Sequence, residues 1–561
     1  MDMSPRSPDH VRPFRCRILG VIAAALTVTL ASGGLAAAAS GQRSTSGASQ
    51  GSIASDFNGD GFADLAVGVP LENLAGPVVD GGAVSVLYGS ESGLQASSPD
   101  DQFWTATRAG GVSATGDRFG SSLAVGDFNA DGFGDLAVAT PLDDVGDAVD
   151  AGSVTILYGS ASGLQATAPA AQLWTQGSGG VPDLAESGDL FGGALAVGDF
   201  DGDGHPDLAI GASGESVGGA GGSGSVVVLF ATADGLQAAA PTPQLWTEPD
   251  VALPATAADG FGFAVGAGDF NGDGRADLAI GIPYHDQTVA APDAGAAVVL
   301  PGSEGGPQTL DPTLQLWTQN SPNVEESAQA GDRFGFSMAS ADLNQDSFAE
   351  LLVGVPYEGV WNGSRQVATA GGATLLYGSG AGLDTSARPG EFWSQARDGV
   401  IGLEEDHDHF GYSLATGDIN GDAFIDVVVG VPQEDGGPES IRKSGAANVL
   451  YSDASGLTSK VDWHLDQDSD NVTDGAEKFD YFAQAVAMAD FNGDGYADLA
   501  VGVPNEGLAK PYCGAVHVLY AGPSGLQAVS PDDVLWSQDG PGVMDSEEPN
   551  DVFGSSVAAA G

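Results

Sequence analysis

Three observations predict an all-β chain folded as a seven-bladed β-propeller of four-stranded antiparallel blades. An acidic nonapeptide, Asp56-Phe-Asn-Gly-Asp-Gly-Phe-Ala-Asp64, returns at Asp127, Asp199, Asp269, Asp342, Asp418 and Asp490, in steps of 71, 72, 70, 73, 76 and 72 residues. Eight residues ahead of the six later copies stands Phe119-Gly120, Phe191-Gly192, Phe261-Gly262, Phe334-Gly335, Phe410-Gly411 or Phe482-Ala483. A Trp segment closes each period, at Trp104, Trp174, Trp246, Trp317, Trp393, Trp463 and Trp536. Seven copies in phase mark a repeat array rather than a string of separate domains.

Each period holds four short apolar segments. The first follows the aromatic pair, as in Leu195-Ala-Val-Gly198; its small residues suit the crowded centre of a ring. The second follows the nonapeptide, as in Leu65-Ala-Val-Gly-Val-Pro70, and the third is of the type Gly82-Ala-Val-Ser-Val-Leu-Tyr88. The Trp segment is the fourth, where blades diverge and bulk is needed, so the seven Trp are expected in the core. Gly, Asp and Pro turns separate the segments, which makes each period an antiparallel meander. One such sheet is apolar on both faces and marginal alone; radial packing buries both faces against neighbours. The last stretch, Phe553-Gly-Ser-Ser-Val-Ala-Ala-Ala-Gly561, repeats the first-segment pattern, with Asp551 two residues before Phe553 as in the earlier copies. It is expected to supply the inner strand of blade 1, in competition with Gly51-Ser-Ile-Ala-Ser55, so that the termini close the ring.

Composition bounds the partners. The 561 residues carry 17 Lys+Arg against 76 Asp+Glu, a net charge of −59, with 42% hydrophobic residues and 86 Gly. The apolar share argues for a folded chain, and the acidic excess repels nucleic acid and anionic headgroups while favouring cations. Arg6, Arg12, Arg15 and Arg17 precede an apolar run from Ile18 to about Leu30, and Ala37 and Ala39 fit an A-x-A cleavage site. Residues 1–39 therefore read as a secretory signal peptide, 40–50 as a flexible segment and 51–561 as the propeller. Removing the signal takes Cys16 away and leaves Cys513 alone, so no disulfide staples the exported chain. With no second long apolar stretch, no membrane span is expected, and the chain should be a secreted monomer.

The nonapeptide is the candidate metal site. Side-chain oxygens fall at positions 1, 3, 5 and 9: Asp56, Asn58, Asp60 and Asp64; Asp127, Asn129, Asp131 and Asp135; Asp199, Asp201, Asp203 and Asp207; Asp269, Asn271, Asp273 and Asp277; Asp342, Asn344, Asp346 and Glu350; Asp418, Asn420, Asp422 and Asp426; Asp490, Asn492, Asp494 and Asp498. Alternating short oxygen donors turn inward when the backbone curls, and Gly at position 6 (Gly61, Gly132, Gly204, Gly274, Gly495) permits the positive φ of a sharp turn. Position 7 varies, as expected if only its carbonyl is used. Six or seven hard oxygens suit Ca²⁺, up to seven ions in all; His and Cys, which zinc prefers, do not occupy these positions. An EF-hand is excluded, because position 12 of the first copy is Val67 rather than Glu and the flanks are strand-like. Blade 3, with four carboxylates, should bind most strongly. Blade 5, with Gln345, Ser347 and Glu350, and blade 6, with Ala423 at the position preferring Gly, should be weaker.

The Phe-Gly pair, the Asp/Asn loop and the following Gly-x-Pro (Gly68-Val-Pro70, Gly281-Ile-Pro283, Gly354-Val-Pro356, Gly430-Val-Pro432, Gly502-Val-Pro504) resemble FG-GAP repeats, over about residues 51–561. Such repeats build the N-terminal propeller of integrin α subunits and occur in secreted bacterial proteins. The resemblance implies calcium at the nonapeptides and a role in adhesion. The chain departs from the pattern at Ala483, at the missing Phe-Gly before Asp56, and at Ala212-Ser213 where the proline is lost. Segments resembling integrin legs, membrane helix or cytoplasmic tail are not found, so a receptor's signalling role is not expected.

In an antiparallel blade the calcium loops share one rim with the loops after strand 3. The loops after strands 2 and 4 form the other rim, and these are longer and differ between blades, for example 356–371 and 394–409. Variable loops on a common scaffold usually carry recognition. Tyr284, Tyr357, Trp361, Arg365, Arg442 and Lys443 are the candidates there for contact with an extracellular protein or glycan. No G-x-S-x-G or H-E-x-x-H motif occurs. The best catalytic cluster, Glu404-Glu-Asp-His407-Asp408-His409, reads more simply as a solvated acidic loop. A secreted binding module is the expected function; a secreted hydrolase or lyase acting on a polysaccharide or ester is the alternative.

Overall fold

Strands that are covered on both faces read as unbroken apolar runs, and the inner three of each period here do so. The computed structural model describes residues 54–97, 101–310, 313–361, 363–435, 442–470, 472–526 and 533–560. The expected signal peptide and the 40–50 segment lie outside these. Blade 4 is typical: Ala264–Gly268, Asp277–Ile282, Ala296–Leu300 and Gln315–Trp317 lie side by side from the ring centre outward. The middle two are buried along their whole length. Six further four-stranded antiparallel sheets repeat this order. Their inner strands contact one another in cyclic sequence, which makes a closed ring of seven blades. Among the described residues the one helical element is a single 3₁₀ turn, Glu248–Val251, and no helix is long and apolar enough to cross a membrane. Cys513 is buried as a free thiol.

Closure follows the C-terminal option. Ser556–Ala558 pairs with Leu65–Val69 as the inner strand of blade 1, with Ala66 opposite Ala558 and Gly68 opposite Ser556. The Ser556 hydroxyl donates to the Gly120 carbonyl of blade 2 at 2.7 Å, and Ser55 donates to the Ala560 carbonyl through its N–H at 3.1 Å and its hydroxyl at 2.9 Å.

The glycines of the repeat have a packing reason. A Cβ on Gly281, in the second strand of blade 4, would lie 2.1 Å from the carbonyl oxygen of Gly335, the Phe-Gly glycine of blade 5. The same approach recurs between Gly211 and Gly262, Gly354 and Gly411, and Gly502 and Gly554. Both glycine positions are thus two sides of one inter-blade contact.

One expectation fails. Trp104, Trp174, Trp317, Trp393 and Trp536 are buried and Trp246 is partly buried against the core, but Trp463 is 37% exposed. In blade 6 the strands Ala446–Asp453 and Gly456–Leu465 run on into a continuous hairpin, with a register shift between Leu450 and Ser452. Leu465 therefore pairs with Ala447, the place that Trp393 takes opposite Ala373 in blade 5. Leu465 fills the core and Trp463 is left two residues toward the solvent side.

Candidate metal centres

Each nonapeptide curls around its first carboxylate. In blade 1, Asp56 Oδ1 accepts from the N–H of Gly59 at 2.6 Å and of Asp60 at 3.1 Å, and Oδ2 accepts from Gly61 N–H at 2.8 Å. Asn58 Oδ1 accepts from Asp60 N–H at 2.8 Å, and Asp60 Oδ1 from Phe62 N–H at 3.1 Å. Blades 3, 4 and 7 repeat the arrangement on Asp199, Asp269 and Asp490. These bonds hold positions 1, 3 and 5 in one tight turn and leave lone pairs on their oxygens. In blade 3 the carboxylates of Asp199, Asp201 and Asp203 come within 4.8 Å of one another.

Position 9 lies beneath the loop. Asp207 Oδ2 accepts from Phe200 N–H at 3.0 Å and Oδ1 from Ala231 N–H at 2.8 Å, which ties the loop to the end of the third strand. Asp64, Asp135, Asp277, Asp426 and Asp498 make the same pair of bonds. Burial, then the charges at positions 1 and 3 or 5, push Asp207 up to about 9 and Asp135 and Asp498 up to about 8. Glu350 rises to about 8, and Asp277 and Asp426 to about 7. A cluster of hard oxygens under this pressure fits a divalent cation better than a set of bare charges. Blades 5 and 6 keep the loop geometry: Ser347 and Ala423 donate to Asp342 and Asp418 at 2.9 and 2.8 Å. They do so at φ of 72° and 73°, where Gly61 sits at 93°, so a side chain is held in a left-handed conformation.

The loops also touch one another, which the sequence reading missed. Position 4 has positive φ in every copy, from 51° at Ala130 to 77° at Gly202. In five blades a glycine there lies under the position-7 side chain of the next blade: Phe133 over Gly59, Arg275 over Gly202, Phe348 over Gly272, Tyr496 over Gly421 and Phe62 over Gly493. Position 7 thus contributes its side chain to packing. The position-8 N–H of five blades also donates to the position-1 carbonyl of the preceding blade, as Gly134 does to Asp56 at 2.7 Å and Ala276 to Asp199 at 2.9 Å. Blade 3 has Pro206 at that position and no N–H to give.

On the other rim the six candidate contact residues do not converge. Tyr284 and Tyr357 flank the Arg333 guanidinium, 4.9 and 4.0 Å from their ring centres, beside a cluster of Phe263, Phe336 and Tyr412. Arg365 pairs with Asp406 at 2.9 Å, the Lys443 ammonium donates to Gln433 at 2.5 Å, and Arg442 is exposed. Trp361, 65% exposed, sits on a small hairpin, Val360–Trp361 with Gln366–Val367. Beside it opens a cleft of about 600 Å³ lined also by Glu325, Glu326, Phe392 and Arg397. Arg397 lies 4.1 Å over Trp393 and pairs with Glu325 at 3.3 Å and Glu391 at 3.1 Å. The adjacent acids of the 4–1 loop and the Glu-Phe-Trp that replaces the usual Gln-Leu-Trp were the available signals for this cleft.

The acidic His loop is dispersed rather than assembled. His407 Nδ1 lies 2.6 Å from the Thr369 hydroxyl, and Asp406 serves Arg365. His409 is buried against Tyr357, with Nδ1 3.0 Å from Gln433 Nε2, and burial followed by the Lys443 charge pushes it down to about 3.

Comparison with known proteins bears on this geometry. The FG-GAP repeat family matches at residues 47–87, 119–157, 191–229, 261–300, 334–377, 410–448 and 482–519. Phosphatidylinositol-glycan-specific phospholipase D of Bos taurus is 33% identical over 27% of this chain and 19% of its own length. Integrin alpha pat-2 of Caenorhabditis briggsae is 28% identical over 45% of the chain and 18% of its own length, and integrin alpha-7 of Rattus norvegicus 32% over 30% and 12%. The chain thus spans less than a fifth of each of these relatives. Seven family matches, one on each blade, place this chain in the FG-GAP repeat family as an integrin-α-like β-propeller.

Proposed function

We propose that this chain is a secreted, calcium-stabilised binding module, exported by residues 1–39, that takes an extracellular protein or glycan on its variable rim in adhesion or recognition. The observation that carries the reading is the cleft beside Trp361: an exposed indole stands over a lining of carboxylates, a glutamine amide and an arginine. An aromatic face packs against the C–H face of a sugar while the polar groups bind its hydroxyls, so a glycan suits this lining best. The ion pairs of Arg397 hold one wall in place before a ligand arrives. Seven calcium loops on the opposite rim would stiffen the scaffold without entering the contact.

The test is capture of the full chain, in calcium buffer, on immobilised extracellular polysaccharides and matrix proteins, with Trp361→Ala alongside. Capture that falls at least about tenfold in the variant supports the site; capture unchanged by the substitution overturns it. A second reading rests on Glu325 and Glu326, where burial and then the Glu325 charge raise Glu326 above the ordinary carboxylate range. A paired acid and base could cleave a polysaccharide or ester, as a hydrolase or lyase. Turnover that disappears in Glu326→Gln would establish that reading instead.

A further inference from the structure

The rim opposite the nonapeptides carries a second repeating set of acids. In blades 1, 3, 5, 6 and 7 the Asp two residues before the aromatic pair meets a Glu that follows the second strand of the same blade. A Gln that ends the preceding blade donates to that acid: Gln176 to Glu215 and Gln395 to Glu434 at 2.7 Å, Gln467 to Glu506 at 2.6 Å, and Gln319 to Glu358. At the junction of blades 7 and 1 the set is Gln538, Glu548, Asp551 and Glu72. Glu72, Glu548 and Asp551 bring carboxylate oxygens within 4.8 Å of one another. Gln538 Nε2 lies 2.6 Å from Glu72 Oε2 and 3.3 Å from Asp545 Oδ2.

What this cluster lacks is a positive charge. Gln538 and Asp551 are fully buried and Glu72 is 3% exposed. Glu548 Oε2, Asp551 Oδ1 and Gln538 Oε1 are buried without a hydrogen-bond partner among the described residues. Burial, followed by the charges of Asp545, Asp551 and Glu548, pushes Glu72 up to about 9, against the opposing hydrogen bond from the Gln538 amide. The junction of blades 3 and 4 is a natural control. There Glu248 stands in the place of Gln and His285 in the place of Glu, and His285 Nδ1 lies 2.9 Å from Asp259 Oδ2. Hydrogen bonding to Asp259 raises that imidazole and favours its charged form, so this junction contains a group that can offset its acids. The junction of blades 7 and 1 does not.

We propose that the blade 7–1 junction binds a hard divalent cation, calcium in a calcium-rich medium, through Glu72, Glu548 and Asp551, with the Gln538 amide turned to present its oxygen. Its donor set is all oxygen, as this class of ion requires. Glu72 and Gln538 are 466 residues apart in sequence, so the ion ties the first blade to the last at the place where the ring is closed without a covalent bond.

Equilibrium dialysis of the full chain against calcium at neutral pH counts the ions bound. The Glu72→Gln/Glu548→Gln/Asp551→Asn variant should bind one ion fewer than the native chain, and Asp199→Asn/Asp201→Asn/Asp203→Asn should lose a different one. Equal counts for the native chain and the junction variant overturn the proposal. If the junction variant does not fold, crystals of the native chain soaked in Mn²⁺ decide the matter by anomalous scattering. A peak bounded by Glu72, Glu548 and Asp551 supports the site, and no peak there overturns it, whether or not the nonapeptides carry ions. A junction peak with none in the nonapeptides would remove the nonapeptide reading and leave this one standing.

Discussion

At the residue scale, the position-9 carboxylates turn the nonapeptide chemistry into a stability measurement. Each is buried under its loop and faces the acids of positions 1 and 5, or of 1 and 3 in blade 3, so its folded pKa stands well above the ordinary carboxylate value of about 4: about 9 at Asp207 and about 8 at Asp135, Glu350 and Asp498. Raised folded values mean that the folded chain binds more protons than the unfolded chain. Their stabilisation is then complete in acid and is lost as pH rises through the folded values. In chelator the melting temperature should fall steadily between pH 6 and 9, each titrating group contributing up to about 1.4 kcal/mol per pH unit. If the nonapeptides bind calcium as proposed, saturating calcium would take the place of the protons, so the fall should flatten and the midpoint at pH 8 should rise. Scanning calorimetry at four pH values with and without calcium checks this. A curve that is flat in chelator would mean that these carboxylates do not carry the strain. At the same scale, Ser347 and Ala423 hold left-handed φ at position 6. Ala423→Gly should therefore tighten the blade 6 site and stabilise the chain by about 1 kcal/mol, read from the calcium dependence of chemical denaturation.

At the element scale, the blade is set by its glycines as much as by its apolar runs. Gly281→Ala would drive a methyl to 2.1 Å from the Gly335 carbonyl, a backbone atom that cannot rotate away. The expected loss is about 1–3 kcal/mol, measured by denaturant unfolding. Blade 2 carries Ala139 at the equivalent place, its methyl close to where a Cβ on Gly192 would lie, and Ala139→Gly should cost less. The blade meander, the seven-fold count and the positive φ at position 6 were legible in the sequence because each is local and repeats seven times. Position 7 was read as a carbonyl donor only, since its side-chain partner is a glycine in the preceding blade, about one period away. The displacement of Trp463 was hidden for a different reason. A register shift between Leu450, paired with Asp462, and Ser452, paired with Leu457, changes the alignment of the outer strand, and the Trp spacing alone does not distinguish Leu465 from Trp463 as the core residue. The cleft at Trp361 needed two loops from adjacent blades to come together, and only Trp361 stood out in one of them.

At the scale of the whole molecule, closure decides whether seven marginal sheets act as one. Sheets of four strands with both faces apolar are stable only while each has two neighbours, so an open ring exposes two large faces and an unpaired inner edge. Two segments competed for the inner place of blade 1, and Ser556–Ala558 holds it. Val557 lies in one core cluster with Val67, Ala487 and Phe553, while Ser556 and Ala560 bond to blades 2 and 1. Deleting residues 555–561 removes this strand but keeps Glu548, Asp551 and the blade 7–1 acid cluster, which separates strand closure from any ion bound there. The truncated chain should melt at least about 5 °C lower, with Ala66 and Gly68 amides exchanging faster than their neighbours in blade 4. A synthetic peptide spanning 551–561 should restore part of the loss by adding back as a strand. An unchanged midpoint would mean that the N-terminal segment can complete blade 1 by itself, and the ring would then be closed from either end.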